Sequence, residues 1–170
     1  MTQSIVYTGP PQHRPFVTTP IALQALIMND DEQFLLLNSP TRKHGWQTVS
    51  GAIEAGETIL DGTLREVREE LGGGVQVRPL GLVHAETFHY DEQVRFMTST
   101  YYLMAYEGGE IVPGDDMVGS EVRWWSLAEL SNEVGLHFHD SLKLWLLYRS
   151  VDLYRLWKEE GERPLQPSLD

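Results

Sequence analysis

The chain has 170 residues, of which 41% are hydrophobic and 22% charged, and these values predict one soluble globular domain. It contains no cysteine, which excludes disulfides, thiolate metal sites and cysteine nucleophiles and fits a reducing cytoplasm. A net charge of −12 disfavours a nucleic-acid partner, because such a surface repels a phosphate backbone. No apolar run reaches the length of about 18 residues that a membrane helix needs. The N-terminus also lacks a secretory pattern, so we expect a cytoplasmic protein without a membrane partner.

The first predicted elements are an arm and a series of short strands. Residues 1–20 contain four prolines and little periodicity, which predicts an extended N-terminal arm. The apolar runs at 21–28 and 33–37 flank a polar turn and indicate two strands. A polar, basic loop follows at 39–45, and residues 46–49 then predict a brief strand that ends at Gly51.

Residues 58–71 form the clearest predicted helix. Thr58 can cap its N-terminus, with Asp61 as the acidic partner in the first turn. Its apolar stripe consists of Leu60, Leu64, Val67 and Leu71, and three glycines end the helix. Further strands are predicted at 75–83, 84–90, 94–106 and 121–125, and a second helix at about 141–159. Strands that pair as hairpins, with separate helices, predict an α/β fold in which helices pack on a mixed sheet.

The predicted helix carries a cluster of three carboxylates, on Glu66, Glu69 and Glu70. They share the helix face that points away from the predicted core, and Arg65 lies beside them. Like charges three or four residues apart destabilise a helix by about 0.2–0.5 kcal/mol per pair, and Arg65 offsets only part of this cost. A hard divalent cation such as Mg²⁺ would relieve the repulsion, because it prefers oxygen ligands. The cluster alone leaves open the alternative of a solvated acidic helix face.

A wider pattern of fixed spacing surrounds these carboxylates. Five residues separate Gly51 from Glu57, and seven more separate Glu57 from Arg65. Residues 65–72 then read R-E-V-R-E-E-L-G. This spacing resembles the Nudix box, and all seven of its fixed positions match, although Gly73 occupies its last aliphatic position. The resemblance implies the Nudix fold, an α/β/α sandwich around a mixed β-sheet. We accordingly divide the chain into the arm, a Nudix domain at 21–160 and a C-terminal tail at 161–170.

The resemblance also implies a chemistry. A Nudix hydrolase cuts a diphosphate bond in a nucleoside diphosphate-linked substrate, with Mg²⁺ or Mn²⁺ as cofactor. The metal ligands that the resemblance implies are the carboxylates of Glu66, Glu69 and Glu70 and a backbone carbonyl near Gly51. One of these carboxylates, with Glu66 as the first candidate, is alternatively the general base. Arg65 would orient a glutamate through a charge-assisted hydrogen bond, and Glu57 would support the loop.

The substrate class is suggested by the residues that lead into the box. The run W-Q-T-V-S-G at 46–51 is similar to the Nudix branch acting on dATP and dihydroneopterin triphosphate. It favours a small (d)NTP-type nucleotide and a pyrophosphohydrolase activity. The rival substrates are ADP-ribose or another sugar nucleotide, and dinucleoside polyphosphates. A non-catalytic nucleotide sensor of the same fold is an alternative of another class, although such proteins usually lose box carboxylates that this chain retains.

Several residues outside the box are candidates for substrate or metal binding. Arg42 and Lys43, beside His44, are candidates for a substrate phosphate, against the favoured alternative of a solvated loop. Trp46 is a candidate for stacking on a base, against the favoured alternative of a core aromatic. Glu121 is a candidate for an additional metal ligand or base, against a surface glutamate that pairs with Arg123.

Two further features lie near the C-terminus. His137, His139 and Asp140 are residue types that ligate transition metals, but the sequence positions no further ligand, which disfavours a metal site there. The last predicted helix carries more apolar residues than a single stripe needs. This pattern indicates either deep burial or a homodimer interface, and we favour the homodimer.

Overall fold

The computed structural model describes residues 5–8, 14–42, 45–132, 139 and 142–159. The strands are Ile5–Thr8 (β1), Arg14–Val17 (β2), Ile21–Met28 (β3), Gln33–Asn38 (β4), Trp46–Gln47 (β5), Val49–Ala52 (β6), Gln76–His89 (β7), Phe96–Gly108 (β8) and Glu121–Ser126 (β9). The helices are Ile59–Leu71 (α1), Leu127–Asn132 (α2) and Leu144–Glu159 (α3). A 3-10 turn, Asp115–Met117, precedes β9.

Within these described residues, seven strands form one mixed sheet. Its main path is β5-β4-β3-β8-β7, with β6 paired to β3 and β9 paired to β4. β3 and β8 run parallel, whereas the other pairs in the sheet are antiparallel. β1 and β2, which lie in the predicted arm, form a separate antiparallel pair.

The two long helices cover opposite faces of the sheet. Alternate residues of β3 show this directly, because Leu26 packs in one apolar cluster with α3 and Ile27 in another with α1. Val67 and Leu71 are the most buried members of the α1 stripe, while Leu60 and Leu64 of that stripe are partly buried. The predicted α/β sandwich around a mixed sheet is therefore confirmed.

Helix α1 begins and ends where local chemistry predicts. The hydroxyl of Thr58 accepts a hydrogen bond from the backbone N–H of Asp61, and the Asp61 carboxylate accepts one from the backbone N–H of Thr58, each at 3.2 Å. This reciprocal capping box satisfies two backbone donors at the first turn. The helix ends at Leu71, and Gly72 follows it with a φ of 91°, a left-handed conformation that favours glycine. The predicted helix is confirmed.

The structure corrects several predicted boundaries. The segments at 75–83 and 84–90 form the single strand β7, because register shifts near Gly81 and His84 bend it without ending its pairing with β8. The strand predicted at 46–49 divides into β5 and β6, which pair with different strands. Helix α3 begins only at Leu144. The six-residue helix α2 was not predicted, since it is too short to show an apolar period.

Helix α3 buries only one of its sides. Its fully buried apolar residues are Leu146, Leu147, Val151 and Tyr154. Its exposed apolar residues are Leu144, Trp145, Tyr148 and Leu156. Burial therefore accounts for part of the wide apolar surface, and the homodimer stays a prediction. Among the described residues, no helix is both long and apolar enough to cross a membrane.

An ion pair connects the segment before α3 to the edge of the sheet. The Lys143 ammonium donates to both carboxylate oxygens of Glu86, and the Tyr101 hydroxyl donates to Glu86 Oε1 at 2.9 Å. The hydrogen bond from Lys143 lowers the pKa of Glu86 below its usual value of 4.5. Burial raises the pKa of Tyr101 to about 12, so the phenol stays protonated as a donor.

We expect Glu86→Gln to lower the free energy of unfolding at neutral pH by about 0.5–1 kcal/mol, because the pair is partly exposed. The folded-state pKa of Glu86 is lowered, so its stabilisation is present above pH 4.5 and is lost as the pH falls through the lowered pKa. Urea unfolding of both proteins at neutral pH and at about pH 3 measures this difference. A gap between the two proteins that persists unchanged at acid pH would contradict the assignment.

Candidate active site

The guanidinium of Arg65 brings three glutamates of the box together. Its Nε donates to Glu57 Oε1 at 2.8 Å, and its Nη2 donates to Glu57 Oε2 at 3.2 Å. Its Nη1 donates to Glu66 Oε1 at 2.7 Å and to Glu69 Oε2 at 2.8 Å. Nη2 also donates to the backbone carbonyl of Ala52 at 2.9 Å, which ties α1 to the end of β6. The planar guanidinium presents several N–H donors in fixed directions, so it can bind three carboxylates and a backbone carbonyl at once.

Glu57 joins the loop before α1 to the helix. Its Oε2 accepts a hydrogen bond from the backbone N–H of Glu54 at 2.9 Å. The hydrogen bonds from Arg65 and Glu54 lower the pKa of Glu57 below its usual 4.5. A Cβ on Gly62 would lie 2.9 Å from Glu57 Oε2 and 2.8 Å from Leu23 Cδ1, so the absence of a side chain there admits the Glu57 carboxylate. The geometry supports the predicted role of Glu57 in holding the loop.

Glu66 lies directly against the backbone of Gly51. A Cβ at position 51 would lie 2.0 Å from the carboxylate carbon of Glu66 and 2.0 Å from its Oε1. Real side-chain contacts do not approach so closely, so Gly51 is required for this arrangement. Burial raises the pKa of Glu66 above its usual 4.5, while the hydrogen bond from Arg65 opposes that rise. A raised pKa makes a carboxylate a better proton acceptor near neutral pH.

Glu70 departs from the predicted arrangement. Its side chain is only 2% exposed, on the sheet side of α1, and not on an open face with Glu66 and Glu69. Its Oε2 accepts a hydrogen bond from the backbone N–H of Ser50 at 3.1 Å, and its Oε1 lies 3.2 Å from Arg42 Nη2. The helical wheel gives angles between residues correctly, but it does not show that β6 covers this part of the helix.

The glutamates are thus divided between two arginines. Arg65 holds Glu57, Glu66 and Glu69, and Arg42 pairs with Glu70. In the part of the chain that the structure describes, no three acidic or histidine side chains already converge as a metal-binding group. The hydrogen bonds of Arg65 engage one carboxylate oxygen of Glu66 and one of Glu69.

Comparisons with known proteins decide the family. The family profile described as NUDIX domain matches residues 18–146. This chain belongs to the Nudix family of hydrolases. The resemblance of the box at Gly51–Gly73 is therefore confirmed.

Curated relatives agree with this family. The "NAD-capped RNA hydrolase NudC" of Photobacterium profundum is 34% identical over 101 residues, which are 59% of this chain and 35% of that protein. The protein of the same name from Pseudomonas aeruginosa is 30% identical over 106 residues, 62% of this chain and 36% of that protein. The match thus spans only about a third of the length of these relatives. A solved ADP-ribose pyrophosphatase from Streptococcus suis shares the fold, with a TM-score of 0.62 and 21% identity over 81% of this chain and 93% of that chain.

The candidate substrate-binding residues lie in different environments around the Nudix box. Arg42 pairs with Glu70 and keeps 26% of its side chain exposed, and its contact with a substrate phosphate stays a prediction. Lys43 and His44 lie outside the described residues. Trp46 is 5% exposed and packs edge-on against Trp125, with ring centroids 5.1 Å apart. The structure therefore places Trp46 in the core, where its ring cannot stack on a base.

The remaining candidates are not brought to the Nudix box by the described contacts. Arg123 donates to Glu129 Oε1 at 2.7 Å and lies 3.9 Å above the ring of Trp125, so its ion pair is with Glu129 and not with the exposed Glu121. The backbone N–H of His139 donates to the carbonyl of Trp46 at 3.0 Å. His137 and Asp140 lie outside the described residues.

Two backbone groups of the site were missed by sequence reasoning. The carbonyl of Ala52 accepts from Arg65, and the N–H of Ser50 donates to Glu70. Backbone groups carry no residue-type signal, so only their position beside Gly51 could have indicated them. Residues 50–52 thus form a short backbone segment that contacts both Arg65 and Glu70 of α1.

We expect Arg65→Lys to lower the free energy of unfolding by about 1–3 kcal/mol, because one ammonium cannot replace the fork that joins three carboxylates. Chemical denaturation without added metal measures the change. Arg68→Lys is the matched control, since Arg68 is exposed on the same helix. Equal effects of the two substitutions would contradict the central role of Arg65.

Proposed function

We propose that this protein hydrolyses a diphosphate bond in a nucleoside diphosphate-linked substrate, with Mg²⁺ or Mn²⁺ as cofactor. The observation that most supports the proposal is the folded Nudix box, in which Arg65 joins Glu57, Glu66 and Glu69. Family membership supports the reaction class. The activity remains a proposal for the whole protein, because the matched relatives are about three times as long as the aligned segment.

The chemistry of the donors fits a hard divalent cation. Among the described residues, four carboxylates and two guanidiniums meet here, and these six groups together carry an excess of two negative charges when all are ionised. Glu66, Glu69, Glu70 and the backbone carbonyl of Gly51 offer only oxygen atoms, which Mg²⁺ and Mn²⁺ prefer over nitrogen or sulfur. Once bound, such an ion neutralises phosphate charge and lowers the pKa of a bound water.

The protein residues have distinct proposed roles. Glu66 is the first candidate for the base that accepts a proton from the attacking water, because burial raises its pKa while Arg65 fixes its orientation. Glu69 and Glu70 are proposed as metal ligands. Glu57 holds the guanidinium of Arg65 in place through two hydrogen bonds. Because these groups are coupled, kinetic pKa values will belong to the cluster as a whole.

Two substrate classes have support. The run at 46–51 favours a (d)NTP-type nucleotide, although the burial of Trp46 removes one way in which that run could contact a base. The names of the curated relatives favour a dinucleotide such as the NAD unit of a capped RNA. The net charge of −12 argues against a long RNA as the substrate. Sugar nucleotides and dinucleoside polyphosphates remain in the same reaction class.

A substrate panel tests the proposal. Purified protein is incubated with dATP, ADP-ribose, NAD⁺, diadenosine tetraphosphate and NAD-capped RNA, with and without Mg²⁺ or Mn²⁺, and products are separated by chromatography. We expect turnover of one class that depends on the metal, with products that identify the broken diphosphate bond. Nucleotide binding without turnover under all conditions would favour a non-catalytic sensor and contradict the proposal.

We also expect millimolar Mg²⁺ or Mn²⁺ to raise the Tm, because a ligand that binds only the folded state stabilises it. A thermal unfolding series at increasing metal concentration measures this. Ca²⁺, which is larger and tolerates a more flexible oxygen shell, provides a comparison for metal preference. A Tm that does not respond to any of these ions would contradict the metal site.

A further inference from the structure

The pair of the partly exposed Arg42 and the buried Glu70 joins the loop after β4 to the inner side of α1. The Glu70 side chain is 2% exposed and that of Arg42 is 26% exposed, with 3.2 Å between Arg42 Nη2 and Glu70 Oε1. The other oxygen, Oε2, accepts the hydrogen bond from the Ser50 N–H at 3.1 Å. Oε2 thus accepts a hydrogen bond from the backbone, and Oε1 lies in ion-pair contact with Arg42.

The loop presents Arg42 from a defined position. The Oγ of Ser39 accepts hydrogen bonds from the backbone N–H groups of Thr41 and Arg42, each at 3.3 Å. Ser39 is itself buried, at 6% exposure, directly after the end of β4. The Arg42 side chain therefore projects from a turn that is hydrogen-bonded to the buried Ser39. This anchoring limits the conformational entropy that is lost when Arg42 pairs with Glu70.

A buried carboxylate needs a compensating charge. Removing one member of a buried ion pair is strongly destabilising, because the other charge is left without a partner in a poorly solvated place. Glu70 occupies a metal-ligand position of the box, and Arg42 contacts one of the oxygens that a cation would need. The guanidinium of Arg42 and a divalent ion cannot occupy the same position beside Glu70 Oε1.

We propose that Arg42 is a positioning residue that acts as the internal counter-ion of Glu70 and competes with the divalent cation for its carboxylate. This inference rests on the proposed function, since it takes Glu70 as a metal ligand. Arg42 holds the Glu70 carboxylate in its buried orientation. It also weakens cation binding, because the pair with Glu70 must break before the oxygen becomes available.

Metal binding measured without substrate tests the competition. Mn²⁺ is titrated into the wild type and Arg42→Gln, and free Mn²⁺ is followed by its electron paramagnetic resonance signal. We expect Arg42→Gln to bind Mn²⁺ about threefold to tenfold more tightly and to have a lower metal-free Tm. Arg78→Gln is the matched control, since it breaks a pair with Glu107 outside the box and removes the same charge.

A double substitution separates direct competition from a general effect of charge. In a Glu70→Gln background, Arg42→Gln should leave the Mn²⁺ affinity unchanged, because the contested carboxylate is gone. An equal gain in affinity in both backgrounds would overturn the proposal in favour of long-range electrostatics. Should Arg42→Gln fail to fold, Arg42→Lys gives the same test, and a smaller gain in affinity is expected because lysine keeps the charge.

The outcomes distinguish this inference from the proposed function. Wild-type protein that binds Mn²⁺ and hydrolyses a nucleotide, with the same Mn²⁺ affinity as Arg42→Gln, would overturn only the inference. Weaker Mn²⁺ binding by Arg42→Gln would also overturn it, because Arg42 would then support the metal site. Wild-type protein that binds no Mn²⁺ would overturn both.

Discussion

Replacing Glu66 with glutamine is expected to lower kcat by about 10²–10⁴-fold while the protein stays folded. Glutamine keeps the size of the side chain, but it cannot accept a proton or supply the negative charge that a divalent cation requires. The carboxylate is partly exposed at 13%, so its neutral replacement should fit the same space against Gly51. The effect therefore falls on chemistry and not on packing.

The measurement is kcat on the best substrate of the panel at saturating metal, together with the urea midpoint of unfolding. Glu107→Gln is a suitable control, because Glu107 lies on β8 and pairs with Arg78 away from the box. The control should keep wild-type turnover. Near-full activity of Glu66→Gln would remove Glu66 from the candidate base and metal-ligand roles.

The helix of the box could be predicted because its information is local. The capping box of Thr58 and Asp61, the apolar stripe and the glycine after Leu71 all lie within one segment. Such features act over three or four residues, and so a sequence window contains the whole cause. The same reasoning fails for β5 and β6, since their separation depends on which neighbouring strand each one pairs with.

The site itself could be predicted only in part. The contact of Arg65 with Glu69 follows from the i, i+4 helical spacing and was expected. The burial of Glu70 was not, because it depends on β6 and on the loop that carries Arg42, both distant along the chain. A helical wheel shows which residues share a face but not which other elements cover that face. For this reason the sequence placed Glu66, Glu69 and Glu70 together on one exposed face.

Family membership and substrate choice depend on different residues. The box carries the metal and base chemistry, and its spacing is fixed enough to be found in the sequence. Substrate choice depends on side chains that several separate elements bring together, and a shared fold does not determine them. Trp46 is an example: it lies beside the box in the sequence and was a candidate for substrate contact, but it packs against Trp125 in the core.

Replacing Gly51 with alanine is expected to lower kcat by about 10²-fold with a loss of stability of only about 1 kcal/mol. The new Cβ would lie 2.0 Å from the Glu66 carboxylate carbon, so that carboxylate must move and its hydrogen bond with Arg65 must break. The displaced atoms form the flexible end of a side chain, which keeps the cost to folding small while the reacting groups lose their alignment. Gly73→Ala is the matched control, because a Cβ there meets nothing within 4 Å. Activity and unfolding of the two variants are compared side by side, and wild-type turnover by Gly51→Ala would show that the position of Glu66 against β6 is not needed for catalysis.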